Sequence, residues 1–531
     1  MFDVCIIRSL MYNYLIMKKI ITCLFTANIF AMLVLLLFFK ESVDYYLKRD
    51  FMMSDIKLLF VALIIFLFIA IIIYHYKTGL SLFLERASKW LFPVTLILLF
   101  IFEAVFAVSG FFYSDWDPAG VLSAVFSLFD GKPEDVSYYY FSAHPNNLML
   151  VLIYYRLLKS ISFFIHGTSV YPVLLFQCLL FTLSGALVYS IAKRLSDSVL
   201  AAWIAFVLYV LVIGSSPWLI ITYSDEVGLI FPLLILRLWL LAYDNHQERI
   251  TCFLLFFAIG SLSSFGYSIK PQIVIVTIAI LIISFINTFP FNKQSLRSLL
   301  YSVFPCVFGM AVMSCLISYI LIPSMEIEYD KTRAFPMTHY FMMGLNDATD
   351  GVYNDADGDL TNSIEDPRDR RLANMEISKQ RLTEYGISGF IKHLAKKSLV
   401  NYGDGTFSYG IDGNFFAGKE LGDFPPVKPN KLSPVLNEII LPQGRYYELF
   451  SAIRHSLWLF ILVLCLAAGT LSLISHNANN TCFCVIFLSV IGITLFELLF
   501  EAKARYLFVY VPFFLLSAVG CVSFFNKSHH S

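Results

Sequence analysis

The chain has 531 residues, 58% of them hydrophobic and only 14% charged, with a mean hydropathy of +0.73 and a formal net charge of zero. Soluble domains carry about 25% charged residues, so these numbers exclude a soluble globular protein and specify an all-α polytopic membrane protein. The neutral balance offers no basic surface for nucleic acid, and the 52 Phe and 30 Tyr suit lipid-facing helices with aromatic belts.

In chain order, Met17-Lys-Lys19 opens an apolar run that is long and lacks a small-residue cleavage site, which reads as a retained first helix. Runs of spanning length, about 17–25 residues, fall near 20–39, 58–76, 91–112, 170–192, 198–217, 227–243, 251–268, 272–290, 298–322, 452–474, 480–499 and 506–525. They predict about twelve transmembrane helices. The apolar stretch Asn146 to Ile165 is interrupted by Arg156 and Lys159 and reads as an amphipathic interfacial helix. That choice puts Lys77, Arg86, Lys89, Lys193, Arg194, Arg249, Lys293, Arg297 and Lys527 on the cytoplasmic side with both termini. Lys48, Arg49, Lys132 and Lys503 stay outside.

The organisation expected is a transmembrane region over 1–322 with outer acidic loops, an extracytoplasmic loop region over 323–450, and C-terminal transmembrane helices over 451–531. Within the loop, Asp347 to Asp369 reads as irregular, followed by helices over Ala373–Tyr385 and Gly389–Tyr402. Its apolar content is thin, so it is expected to pack on helix ends rather than fold alone. All ten cysteines, from Cys5 to Cys521, lie in or beside apolar runs, and the loop has none. There is neither a disulfide framework nor a zinc-like Cys/His spacing.

The same topology sends every charged cluster of interest to the outer face. Ser114-Asp-Trp-Asp117 stands at the mouth of the third run, where a carboxylate is expensive in hydrocarbon. Asp117 or Asp115 suits a general base that deprotonates an acceptor hydroxyl, its pKa raised by burial near lipid. Asp117 precedes Pro118, so the competing reading is a helix cap. Asp225 and Glu226, in Tyr223-Ser-Asp-Glu226, either cap the next helix or bind a sugar, a cation or an amine. Lys270 snorkels or holds a lipid phosphate, and Arg505, in Glu501-Ala-Lys-Ala-Arg505, can grip two phosphate oxygens. His339, in His339-Tyr-Phe-Met-Met-Gly-Leu-Asn346, reads as structural. Glu103 lies inside the third run and either reaches the site from below or pairs with another helix.

Taken together, Ser114-Asp-Trp-Asp117, the segment Tyr140 to Asn147, Tyr223-Ser-Asp-Glu226 and Glu501 to Leu507 resemble the type C glycosyltransferase superfamily, in its bacterial protein-O-mannosyltransferase and aminoarabinose-transferase-like branch. The likeness runs from about residue 91 onward. It implies an enzyme of the bacterial plasma membrane, active at the outer face, taking a sugar from a polyprenyl-phosphate donor to a cell-surface glycan or lipid acceptor. The base role passes to Asp117 or Asp115. Substrate contacts fall to Asp225, Glu226, His144, Asn146, Asn147, Lys270 and Arg505. Asp-x-Asp stands where the mannosyltransferases have adjacent Asp-Glu, which leaves the acceptor and any divalent cation open. A surface-polysaccharide polymerase of the O-antigen type is the rival enzyme, and a lipid-linked sugar flippase or transporter the non-enzymatic one.

Overall fold

The computed structural model describes residues 2–39, 53–163, 168–288, 293–413, 424–475 and 480–528, with side chains for all of these except 2–15, 293–298 and 524–528. Lys48 and Arg49 lie outside the described residues, as do the side chains of Lys293, Arg297 and Lys527. The described chain is helical and contains no strand. Apolar helices suit a bilayer because each satisfies its own backbone polar groups.

The N-terminal half comprises α1 (Phe2–Phe38), α2 (Asp55–Gly110), α3 (Asp117–Phe129), α4 (Tyr138–Ala143), α5 (Leu148–Ile161), α6 (Tyr171–Ser196), α7 (Val199–Tyr209), α8 (Ser224–Gly228), α9 (Ile230–Asp244), α10 (Arg249–Tyr267), α11 (Val274–Ile286) and α12 (Lys293–Leu316). The segment over 323–450 holds α13 (Met337–Gly344), α14 (Asp355–Ser363), α15 (Pro367–Tyr402) and α16 (Ser433–Ile440), and α17 (Tyr447–Ile474), α18 (Thr481–Leu499), α19 (Ala504–Phe508) and α20 (Val511–Ser528) complete the helices.

Among the described residues, eight helical stretches are long and apolar enough to cross a membrane: Ile16–Phe38, Asp55–Gly110, Tyr171–Ser196, Ser224–Asp244, Arg249–Tyr267, Leu299–Met325, Tyr447–Ile474 and Thr481–Leu499. Four more apolar helices are shorter, including Val199–Gly214, Pro271–Ile286 and Val511–Ser523. The runs at 58–76 and 91–112, expected as separate spans, belong to the single helix α2. A straight helix of its 56 residues would measure about 84 Å. Its two ends nevertheless reach one layer. Asp55 meets His455 at 3.0 Å, His455 accepts from the Gly405 amide, and the adjacent Thr406 carbonyl accepts from Trp218. Gly110 lies against Ile220, two residues from that Trp. So α2 bends back on itself.

Packing fixes the rest. α1 threads between α17 and α18, with Phe25 stacked on Phe487 at 4.0 Å and Asn28 bonded to Thr494. α10 and α12 touch so closely at Gly260 and Gly309 that a Cβ at either would strike the opposing backbone, and Ser264 bonds Ser314 between them. Small residues at such crossings let membrane helices meet through backbone contact. The C-terminal ends of α6 and α9 are joined by Arg194 and Asp244, away from the acidic loops.

The segment over 323–450 differs from its sequence reading in two places. The stretch expected to be irregular contains α14, which forms because Asn354 caps it by accepting from the Asp357 amide, while Asp357 pairs with Arg381 at 2.7 Å. The helices expected over 373–385 and 389–402 are two arms of α15, joined at Gly386, whose φ of 57° and ψ of −172° suit glycine alone. α5 does form as an amphipathic helix, burying Leu150, Val151, Tyr154 and Leu158 and exposing Arg156 and Lys159.

Candidate functional site

Asp117 is the first residue of α3, and Pro118 beside it favours a helix start there. Its carboxylate caps nothing. Instead Tyr140 donates to Oδ1 and Tyr223 to Oδ2, both at 2.8 Å. Asn147 braces this pair: its Nδ2 donates to the Tyr140 oxygen at 2.7 Å, and its Oδ1 lies 3.4 Å from the Tyr223 hydroxyl. Two separate segments, that of α4 with Asn147 and that of Tyr223, are thereby drawn onto one carboxylate.

Burial alone would raise the Asp117 pKa, but nearby His144, the two phenols and Arg505 outweigh it, and the pKa falls below its ordinary value. The upward shift expected from proximity to lipid is therefore reversed, because hydrogen bonds and positive charge favour the ionised form. The phenols respond oppositely, pushed well above their usual range by burial and then by the Asp117 charge. His144 sits within 5.3 Å of the Tyr140 ring, and burial lowers its pKa despite Asp117 and Glu501.

A cationic side faces this base. The Arg505 guanidinium lies 4.2 Å from the Trp116 ring centre and 5.3 Å from that of Tyr223, within reach of cation–π attraction. It is buried, and its Nε and Nη1 have no hydrogen-bond partner among the described residues. Burial disfavours its charge, but Asp225 and Asp412 more than compensate, so the pKa rises. Lys270 forms a buried ion pair with Asp225 and lies 4.6 Å from the Tyr506 ring centre. Burial lowers the Lys270 pKa even with Asp225 beside it. Its neighbour in this structure is a carboxylate rather than bulk water, which sets it apart from a snorkelling lysine. Tyr506 in turn donates to Glu501 at 2.9 Å, and Lys503 lies 3.8 Å from Glu501 and 3.6 Å from Asp412.

Asp225 and Glu226 occupy the first turn of α8 without capping it. Glu226 is fully buried, and neither carboxyl oxygen meets a donor from another described residue; the same holds for Glu497 on α18.

Of the residues singled out from sequence, the fold gathers Asp117, His144, Asn147, Asp225, Glu226, Lys270 and Arg505. Asp115 is half-buried, and no contact between it and this group is described. Asn146 is exposed and donates to Asn147 at 3.2 Å; among the described residues no hydrogen bond joins it to Asp117 or Arg505. His339 is buried against Thr361 at 2.8 Å, in keeping with a structural role, and Glu103 accepts from Thr182 at 2.6 Å. Tyr140, Tyr223 and Trp116 were missed as participants. The one signal for them was position, since each lies inside a segment already singled out.

No group of three His, Cys, Asp or Glu side chains among the described residues is arranged to hold a metal ion. A groove of about 500 Å³ runs between Ala104–Ser109 on α2 and Asn430–Leu432, and none of the site's charged residues lines it. No curated protein and no solved structure matches the chain. A family described as "Conserved hypothetical integral membrane protein" matches residues 13–523, nearly the whole length. The chain, with its apolar helices and this enclosed group of charges, belongs to that family of integral membrane proteins.

Proposed function

We propose that the protein is a glycosyltransferase that moves a sugar from a polyprenyl-phosphate donor to a cell-surface glycan or lipid, at the outer face of a bacterial plasma membrane. The observation that carries this reading is the placement of an ionised, doubly hydrogen-bonded Asp117 beside Arg505, whose buried Nε and Nη1 have no hydrogen-bond partner among the described residues. A base and a cationic side chain for the phosphate are what transfer from a sugar phosphate requires.

In the reaction, the acceptor hydroxyl attacks the anomeric carbon and loses its proton to Asp117. The bond from that carbon to the phosphate oxygen breaks, and the electron pair leaves with the polyprenyl phosphate. Arg505, and Lys270 once freed from Asp225, offset the charge on that leaving group. Attack opposite the leaving group inverts the anomeric centre. Asn147 and the two phenols hold Asp117 in place for it.

A polymerase working through loop arginines fits less well. Arg370 is spent on the Ile364, Thr332 and Glu365 carbonyls, and Arg381 on Asp357 and Met342. One observation favours a transporter as the second reading: Glu226 and Glu497 are buried in apolar helices, and their carboxyl oxygens meet no donor from another described residue, as groups on a proton route do.

The deciding assay follows radiolabelled sugar from polyprenyl-phosphate donors into membrane glycans, comparing wild type with Asp117→Asn and Asp115→Asn at matched insertion. Transfer by wild type that drops about 10²–10⁴-fold in Asp117→Asn, the usual span for a general base, and persists in Asp115→Asn is the expected result. Undiminished transfer in Asp117→Asn refutes the assignment of the base.

A further inference from the structure

Lys397 lies on α15, in the outer segment, yet its ammonium is buried at the joint with the C-terminal helices. All three of its donors are used on backbone carbonyls: Gly344 at 2.9 Å, Leu498 at 2.8 Å and Phe500 at 2.6 Å. Gly344 ends α13, whereas Leu498 and Phe500 bracket the point where α18 stops and the chain turns toward Glu501 and Arg505. A helix leaves its last carbonyls without partners, and here a side chain from 101 residues away supplies them. The joint is closed from the other side by the Ala502 amide, which donates to Gly351 at 2.8 Å. It is also tight. A Cβ on Gly344 would strike the Phe500 carbonyl, and Gly351, at φ of 80°, has no room for one against Gly344 and Lys397.

We infer that Lys397 is a positioning residue: it fixes the backbone from Leu498 to Ala502 and so sets where Glu501 and Arg505 stand opposite Asp117. The outer segment is then a working part of the site rather than a separate module. The consequence for catalysis rests on the glycosyltransferase reading, whereas the consequence for the backbone does not.

Charge gives the joint a second property. Burial pushes the Lys397 pKa down to about 7, partly offset by Glu497 and Glu501. His393 faces it across the shared Gly344 carbonyl at 2.8 Å, and Asp350 beyond is paired with Lys396 at 3.0 Å. Loss of the proton leaves two donors for three carbonyls, so the joint loosens as pH rises through neutrality.

Hydrogen exchange of the full-length protein in detergent, read by mass spectrometry over residues 498–506, tests the backbone claim without any substrate. In Lys397→Met, exchange at 500–505 should quicken at least tenfold while the interior of α18 keeps its protection. In wild type, after correction for intrinsic chemistry, exchange there should be faster at pH 8.5 than at pH 6, and Lys397→Arg should flatten that dependence. If Lys397→Met does not fold, the wild-type and Lys397→Arg series decide. Unchanged exchange at 500–505, or an increase spread over all of α18 and α15, overturns the inference. In the transfer assay, displacement of Arg505 should raise KM for the donor about tenfold with kcat changed less, whereas mere loss of folded protein would lower apparent kcat alone. Absence of transfer by wild type would sink the glycosyltransferase reading and leave the exchange result standing.

Discussion

At the scale of single residues, the site is a contest between burial and hydrogen bonding around Asp117. The bonds win, and the sign matters for pH. Because the folded pKa lies below the unfolded value, the stabilising contribution of Asp117 is full above ordinary carboxylate titration and is lost as pH falls through the folded pKa. A transferase using this base should therefore show no loss of kcat/KM from Asp117 between pH 5 and 8, with its acid limb well below. Tyr223→Phe removes one of the two phenols, so the acid limb should move toward neutral pH, as a pH–rate profile would reveal. A profile identical to wild type would show that the Tyr223 contact does not tune the base. Arg505→Lys keeps the charge but loses the planar fork and its stacking on Trp116. Hydrogen bonds to charged groups contribute about 1.5–3 kcal/mol, so donor KM should rise about 10–100-fold.

At the scale of elements, two glycines carry most of the predictable sensitivity. Gly386 joins the arms of α15 at positive φ in open space, and a methyl group added there would meet nothing within 4 Å. Gly386→Ala thus isolates backbone strain, about 1–3 kcal/mol, and should lower the thermal midpoint of the purified protein without altering neighbouring contacts. Gly260 on α10 is the opposite case, since its backbone conformation is ordinary and the obstacle is the Cys306 carbonyl of α12. Gly260→Ala should cost about 1–3 kcal/mol or more through overpacking. A thermal midpoint equal to wild type would mean that α12 can move aside.

At the scale of the whole molecule, the acidic and basic loops converge on one end of the helical assembly, and Arg194 with Asp244 marks the other. The fold therefore makes a labelling prediction. In a background lacking exposed native cysteines, a cysteine at exposed Asn146 or Met337 should react with a membrane-impermeant reagent from one side of the membrane, and one at His246 only from the other. Reaction of all three from the same side would break this topology and with it the proposed outward-facing site.

The sequence by itself determined the class of protein: mean hydropathy and the scarcity of charge leave a chain of this kind only the membrane, and apolar runs there must be helices. It also determined where ionisable groups are costly, which is why Asp117, Asp225, Glu226, Lys270 and Arg505 could be chosen in advance. What it could not determine was which of these groups meet. Spacing places Asp115 and Asp117 on equal terms, and only the docking of α4 and the Tyr223 loop makes Asp117 the carboxylate with two phenols. Nor could it tell that α2 bends back on itself, that Lys270 pairs with Asp225, or that Lys397 of α15 bonds the carbonyls at the end of α18. Those contacts join residues from dozens to more than a hundred positions apart, and their direction depends on helix packing, which carries no local signature in the chain.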